Sequence, residues 1–225
     1  NKHYKLVADI SLNENSADYL TWEKTAPANV WTPMGTDSTT IIFKGVFDGG
    51  NYSVSGVYSN ARFSGLFGSV GESAIVKNVK IVDSFVKSTV NGFAGILAGY
   101  NKGLIKNVEI SGYVWGNNTT SGTSSVHNIL SCGGVSGRSD GFINEAINHA
   151  AVRCFGNGKY MDVRVGGIAG YMVNGFLSDV ENNGSAMSFV TGNGALVKTQ
   201  IGGVVGLASV SGRIENAINK GVVKG

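Results

Sequence analysis

Short apolar runs of four to seven residues, rich in valine and isoleucine and closed by glycine or asparagine, recur along most of the chain. Five of them share one core: Phe63-Ser-Gly-Leu-Phe-Gly68, Ala94-Gly-Ile-Leu-Ala-Gly99, Cys132-Gly-Gly-Val-Ser-Gly137, Val165-Gly-Gly-Ile-Ala-Gly170 and Ile201-Gly-Gly-Val-Val-Gly206. The closing glycines are 31, 38, 33 and 36 residues apart. Each core is followed by a further glycine and then by a unit reading apolar, polar, polar, apolar: Val76–Val79, Ile105–Val108, Ile143–Ala146, Leu177–Val180 and Ile214–Ala217. The third residue of that unit is always Asn78, Asn107, Glu145, Asp179 or Asn216 in turn. Glycines this frequent would each cost a helix about 1 kcal/mol, and the runs are too short for helices, so the pattern predicts strands.

One such unit cannot bury its own apolar face. Stacked on its neighbours it can, and Leu66, Leu97, Val135, Ile168 and Val204 are then expected to form one buried column. The predicted fold is all-β: a right-handed parallel β-helix, or β-solenoid, with strands of adjacent coils about 4.8 Å apart. Five repeats are expected over 59–225. Residues 1–58 differ in pattern but lack a linker, and are expected to form N-terminal coils of the same solenoid, with a polar loop at 13–29 covering one side. Both ends read as cuts within a longer chain, the C-terminal one in mid-repeat. The variable spacing is assigned to loops such as 115–129 and 184–198, rich in Gly, Ser, Thr and Asn.

Composition narrows the function classes. The 225 residues include 34 glycines and 2 prolines, more than twice the usual glycine level of about 7% but without a Gly-X-Y period, which excludes collagen. With 42% hydrophobic residues and a net charge of +3, the chain is not of disordered type. No concentrated basic stripe exists to bind phosphates, so no nucleic-acid partner is expected. No run of 18 apolar residues is present, so no membrane insertion is expected, and the start lacks the shape of a signal peptide. The two cysteines, Cys132 and Cys154, could form one disulfide, a bond the sequence leaves open; they lack metal-site spacing and leave the redox compartment open. Cys132 aligns with Val165 and Ile201, as a small buried residue would.

At this point the chain resembles proteins carrying GLUG repeats, named for a Gly-Leu-any-Gly core, here clearest as Gly65-Leu-Phe-Gly68. Gly134-Val-Ser-Gly137, Gly167-Ile-Ala-Gly170 and Gly203-Val-Val-Gly206 are aliphatic variants. The second copy departs, with Ile96 where the core's first glycine belongs, which puts the tightness of that coil in question. The family's lead-in is similar too: Asp9 to Leu12, Trp31-x-Pro-x-Gly35, and Phe43-x-Gly-x-Phe-Asp-Gly49. Such repeats occur in large secreted or wall-anchored bacterial proteins, including non-catalytic parts of some IgA-cleaving metalloproteases. The resemblance implies an extracellular or cell-surface location and a scaffold, spacer or adhesive role beside neighbouring domains of a longer chain. It carries no catalytic residues to transfer.

Parallel β-helices also include polysaccharide lyases and hydrolases, which need clustered carboxylates projecting from neighbouring coils. The relevant acids are Asp140, Glu145, Asp162, Asp179, Glu181 and Glu215, of which Glu145 and Asp179 are expected to be stacked neighbours flanked by Asn107 and Asn216. The plainer reading makes these polar turn positions, and a calcium site lacks a continuous Asp-rich loop. His3, His127 and His149 are scattered, and neither a metal nor a cofactor is expected. Aromatics are the better lead. Tyr100 and Tyr171 each follow a closing glycine, and Trp115 lies beside the 116–129 loop, so these three are the candidate contacts for a glycan or a host extracellular protein. Arg138 and Leu207 interrupt the tyrosine register. The reading is a non-catalytic scaffold, adhesive or spacer, against a carbohydrate-active enzyme or glycan-binding module. An acid-lined groove would favour the enzyme, exposed aromatics a binder, and self-satisfied polar ladders a spacer.

Overall fold

The computed structural model describes residues 2–14, 16–36, 40–89, 91–123, 125–191, 196–209 and 211–225. Every strand pairing among them is parallel, and together they form a β-solenoid. A representative coil runs through Asn128–Gly133, turns at Gly134, and continues through Ser136–Ser139, Phe142–Asn148 and Ala151–Gly156. The next coil lies on it in register, with Cys132 opposite Val165, Ser136 opposite Ala169, Ile143 opposite Leu177 and Val152 opposite Ala186. Repetition gives two five-stranded sheets that meet at the glycine corner, and a thirteen-stranded sheet that closes the coil. No helix of the described residues is long and apolar enough to cross a membrane.

The apolar positions stack as the repeat requires. Leu66, Leu97, Val135 and Ile168 form a buried column, and Val204 packs against its end. Val76, Ile105, Ile143 and Leu177 form another. Each such side chain gains roughly 1.5–3 kcal/mol from burial, and it does so only against the coils on either side.

The glycine pairs have a specific partner. Asn148 and Asn182 are fully buried, and Asn148 Nδ2 donates to Asn182 Oδ1 (2.8 Å), whose own Nδ2 donates to Asn219 Oδ1 (2.7 Å). A Cβ on Gly134, Gly167 or Gly203 would lie 2.2, 2.2 or 2.3 Å from the Asn148, Asn182 or Asn219 side chain respectively. The second glycine of each pair therefore leaves room for an asparagine amide, buried at Asn148 and Asn182 and exposed at Asn219 in the last coil. Where the amide is absent the glycine is too: Ile110 stands at the register position of Asn148, and its coil carries Ile96, fully buried, at the position of Gly134. The coil of Ile96 has the standard corner length. The first copy is the irregular one, because Ser64, not Phe63, lies opposite Ala94, and Phe67 lies opposite Ala98, leaving its corner one residue shorter.

Residues before 59 join the same sheet. His3–Lys5 pairs with Val46–Asp48, which pairs with the start of Ile75–Ser88, and Ile10–Ser11 pairs with Ser53–Ser55. The loop between them is pinned by Asn13, whose amide donates to the Asn29 and Gly56 carbonyls and accepts the Asn29 N–H. That loop lays Trp22, 3% exposed, on a stack of Tyr58, Phe85 and Tyr113 contributed by three successive coils.

Candidate functional site

The third residue of each apolar-polar-polar-apolar unit sits in the left-handed region: Asn78, Asn107, Glu145, Asp179 and Asn216 have φ of 54°, 52°, 55°, 54° and 48°. An L-residue there costs about 1–2 kcal/mol, least for Asn and Asp, which explains the residue choice. In the first three sampled coils the amides chain together. Asn78 Nδ2 donates to Asp48 Oδ1 (3.1 Å), and Asn107 Nδ2 donates to Asn78 Oδ1 (2.8 Å). Further along, Asp179 accepts from Asn144 (3.2 Å) and Asn216 (3.1 Å).

Beside this column runs an open groove of about 330 Å³ lined by Asn51, Asn78, Asn107, Glu145, Asp179, Lys80, Glu109 and the apolar Val79, Val108 and Ile147. Its charges are paired apart from Asp179, which is held by amides. Lys80 lies 2.8 Å from Glu109, His149 lies 3.5 Å from Glu109, and Lys106 lies 3.4 Å from Glu145. The Lys80 ammonium holds the Glu109 carboxyl below its ordinary range, and Glu109 in turn raises Lys80. Asp48, at the column's start, is held low chiefly by the Gly50 N–H and then by Asn78. Glu145 and Asp179 are thus stacked neighbours, each already engaged with its own partners. Among the described residues no three His, Cys, Asp or Glu side chains group to hold a metal ion.

The aromatic candidates lie elsewhere. Tyr100, Arg138, Tyr171 and Leu207 stack in register on the second sheet. Tyr100 is 6% exposed; its hydroxyl donates to Asp140 Oδ2 (2.5 Å), and burial, with that carboxylate, pushes its ionisation up. Arg138 grips Asp140 through two nitrogens (3.0 and 2.7 Å) and lies 4.9 Å from the Tyr100 ring and 5.3 Å from that of Tyr171. Arg164, held by Asp162, lies 3.9 Å from the Tyr171 ring centre. Both tyrosine rings are therefore engaged by guanidinium groups of the same chain. The interrupting Arg138 binds the two tyrosines into one stack. Trp115 is half-buried against Phe155 (4.2 Å), which stacks on Phe189 (5.0 Å). Sequence reasoning missed the Arg138–Asp140 and Arg164–Asp162 pairs, although the Arg-x-Asp and Asp-x-Arg spacing, which puts both on one face of a strand, was the available signal.

Cys132 and Cys154 are joined in a disulfide buried in the core, with Cα atoms 6.8 Å apart. Gly116 of the coil below leaves it room, since a Cβ there would lie 2.5 and 2.6 Å from the two sulfurs.

No protein-family model matches the chain. Over 114 residues, 48% of its length, it is 32% identical to a protein of Evansella cellulosilytica described as a Gly-rich membrane protein. Over 124 residues, 54% of its length, it is 30% identical to halomucin of Haloquadratum walsbyi. These matches span 12% and 1% of the relatives' own lengths. Among solved structures, a Bacteroides ovatus chain described as an immunoglobulin A1 protease matches 99% of this chain and 70% of its own, with a TM-score of 0.69 and 19% identity, a likeness of fold alone.

Proposed function

We propose that this chain is a non-catalytic, GLUG-type stalk segment of a large extracellular bacterial surface protein, a rigid spacer between other parts of that protein. The observation that carries the reading is the pairing of its candidate carboxylates with groups of the same chain. Glu109, Asp140, Glu145, Asp162, Glu181 and Glu215 each meet a cation of the same chain, Asp179 is held by the Asn144 and Asn216 amides, and Asn107 bonds Asn78. A polysaccharide-cleaving site needs carboxylates free to act as acid and base, whereas a stalk needs rungs that hold their neighbours. The buried Cys132–Cys154 bond supports an oxidising compartment. The names of the two relatives, a Gly-rich membrane protein and halomucin, support a surface setting.

Antibodies against the folded segment should label intact, unpermeabilised cells expressing the full-length protein. Labelling only after permeabilisation would defeat the surface assignment. Separately, release of reducing ends from any polysaccharide by the purified segment would defeat the non-catalytic one.

A further inference from the structure

We propose that the groove beside the left-handed column binds a neutral, linear, hydroxyl-rich polysaccharide laid along the solenoid axis. The groove is lined from five successive coils by Asn51, Asn78, Asn107, Glu145 and Asp179, one polar rung per coil. The rungs repeat at the strand spacing of about 4.8 Å. An extended β-1,4-linked hexose chain advances by slightly more than one rung per sugar, near enough to keep step over a few rungs. An extended peptide advances by about 3.4 Å per residue and falls out of step with the rungs.

The chemistry of the rungs fits hydroxyl groups. An asparagine amide has two N–H donors and an oxygen with two lone pairs. Asn78 uses one donor on Asp48 and one lone pair on Asn107, so it keeps one of each for a ligand able to accept and donate. Ile147, 39% exposed, provides apolar surface beside the rungs, suited to the C–H face of a sugar ring, while Val79 and Val108 form the buried floor beneath them. Charge argues against a strongly charged polymer: Lys80 is committed to Glu109 and Lys106 to Glu145, and Asp179, bonded only to the Asn144 and Asn216 amides, leaves a single uncompensated negative charge.

The left-handed backbone supplies a clean test. Glycine adopts φ near +50° without strain, so Asn78→Gly and Asn107→Gly delete the amides while leaving the corner its conformation. The purified segment is titrated calorimetrically with cello-, manno- and xylo-oligosaccharides of increasing length, and with an anionic polysaccharide. The expected result is saturable binding to a neutral series, tightening with length until the rungs are covered and indifferent to salt. The double glycine variant, its native strand content checked by circular dichroism, should bind about tenfold more weakly or worse, the loss of one or two hydrogen bonds. Absence of saturable binding to every neutral series, undiminished binding by the folded double variant, or binding confined to the anionic polymer and abolished by salt would each overturn the proposal. Any of those failures leaves the stalk reading intact, while turnover of an oligosaccharide would overturn the stalk reading and leave the groove occupied.

Discussion

At Glu145 a glutamate holds a φ of 55° that the other corners of the column reach with asparagine or aspartate. Its side chain cannot bond back to its own backbone as readily as theirs, and its pair with Lys106 is about half exposed and so worth little. Glu145→Asn should therefore stabilise the protein by about 0.5–1 kcal/mol, read as a rise in urea midpoint; a fall would mean that the Lys106 pair outweighs the backbone strain. A second expectation concerns acid. The Asp48 carboxyl is held low by the Gly50 N–H and Asn78, so its contribution is present above its unfolded pKa of about 3.9 and is lost as pH falls through the lower folded value. The urea midpoint should drop on acidification below about pH 4, and Asp48→Asn should start lower at neutral pH and drop less. Parallel profiles for the two proteins would remove Asp48 from the account. The Asn, Asp or Glu at this corner was legible in the sequence as a recurring polar position. Its left-handed backbone was not, because residue type alone does not separate a solvated edge from a strained turn.

Between coils, the paired glycines and buried asparagines act as a unit, and each half is meaningless without the other. Gly167→Ala would drive a Cβ into both the Gly203 carbonyl and the Asn182 amide, and overpacking of this kind costs about 1–3 kcal/mol or more. The part of the loss due to the amide should be relieved when Asn182→Ala accompanies it, while the Gly203 carbonyl clash stays, a partial coupling that a double-mutant cycle in urea would read directly; strict additivity would mean the two do not share the space. The coil with Ile96 and Ile110 shows that an apolar exchange at both positions is accommodated. The repeat made the glycines visible, but their partner lies in another strand of the coil, outside any local pattern. The same holds for the disulfide, whose cysteines lie in strands that face each other across the core. It closes a loop of 22 residues and should contribute about 3 kcal/mol by restricting the unfolded chain. Reduction, or Cys132→Ala with Cys154→Ala, should lower the urea midpoint accordingly without changing the strand content seen by circular dichroism.

Across the whole molecule, stability should be graded rather than uniform, because a solenoid coil contacts only the coils on either side. The apolar columns are sealed from Val76 through Leu177, whereas Ile214, which continues one of them in the last coil of this chain, is 41% exposed. Leu104–Asn118 has a long strand on one side and two strands on the other, so its amides are released only when several coils open. His3–Lys5 and Val223–Lys224 each have a single strand neighbour. Native-state hydrogen exchange should therefore be slowest in Leu104–Asn118 and fastest in those two outer strands, with protection falling coil by coil between them. The parallel stack itself was legible from five copies of one motif, since identical units that cannot bury their own faces have to bury one another's. What the repeat count could not specify is where cooperativity breaks, because that depends on loop packing such as Trp22 on the Tyr58–Phe85–Tyr113 stack, which staples three coils together. If those three coils exchange as one block, Trp22→Ala should split the block into separate coils. A single exchange rate shared by every strand, in the wild type and in the variant, would show that the molecule opens all at once and that neighbour-only contacts do not govern its stability.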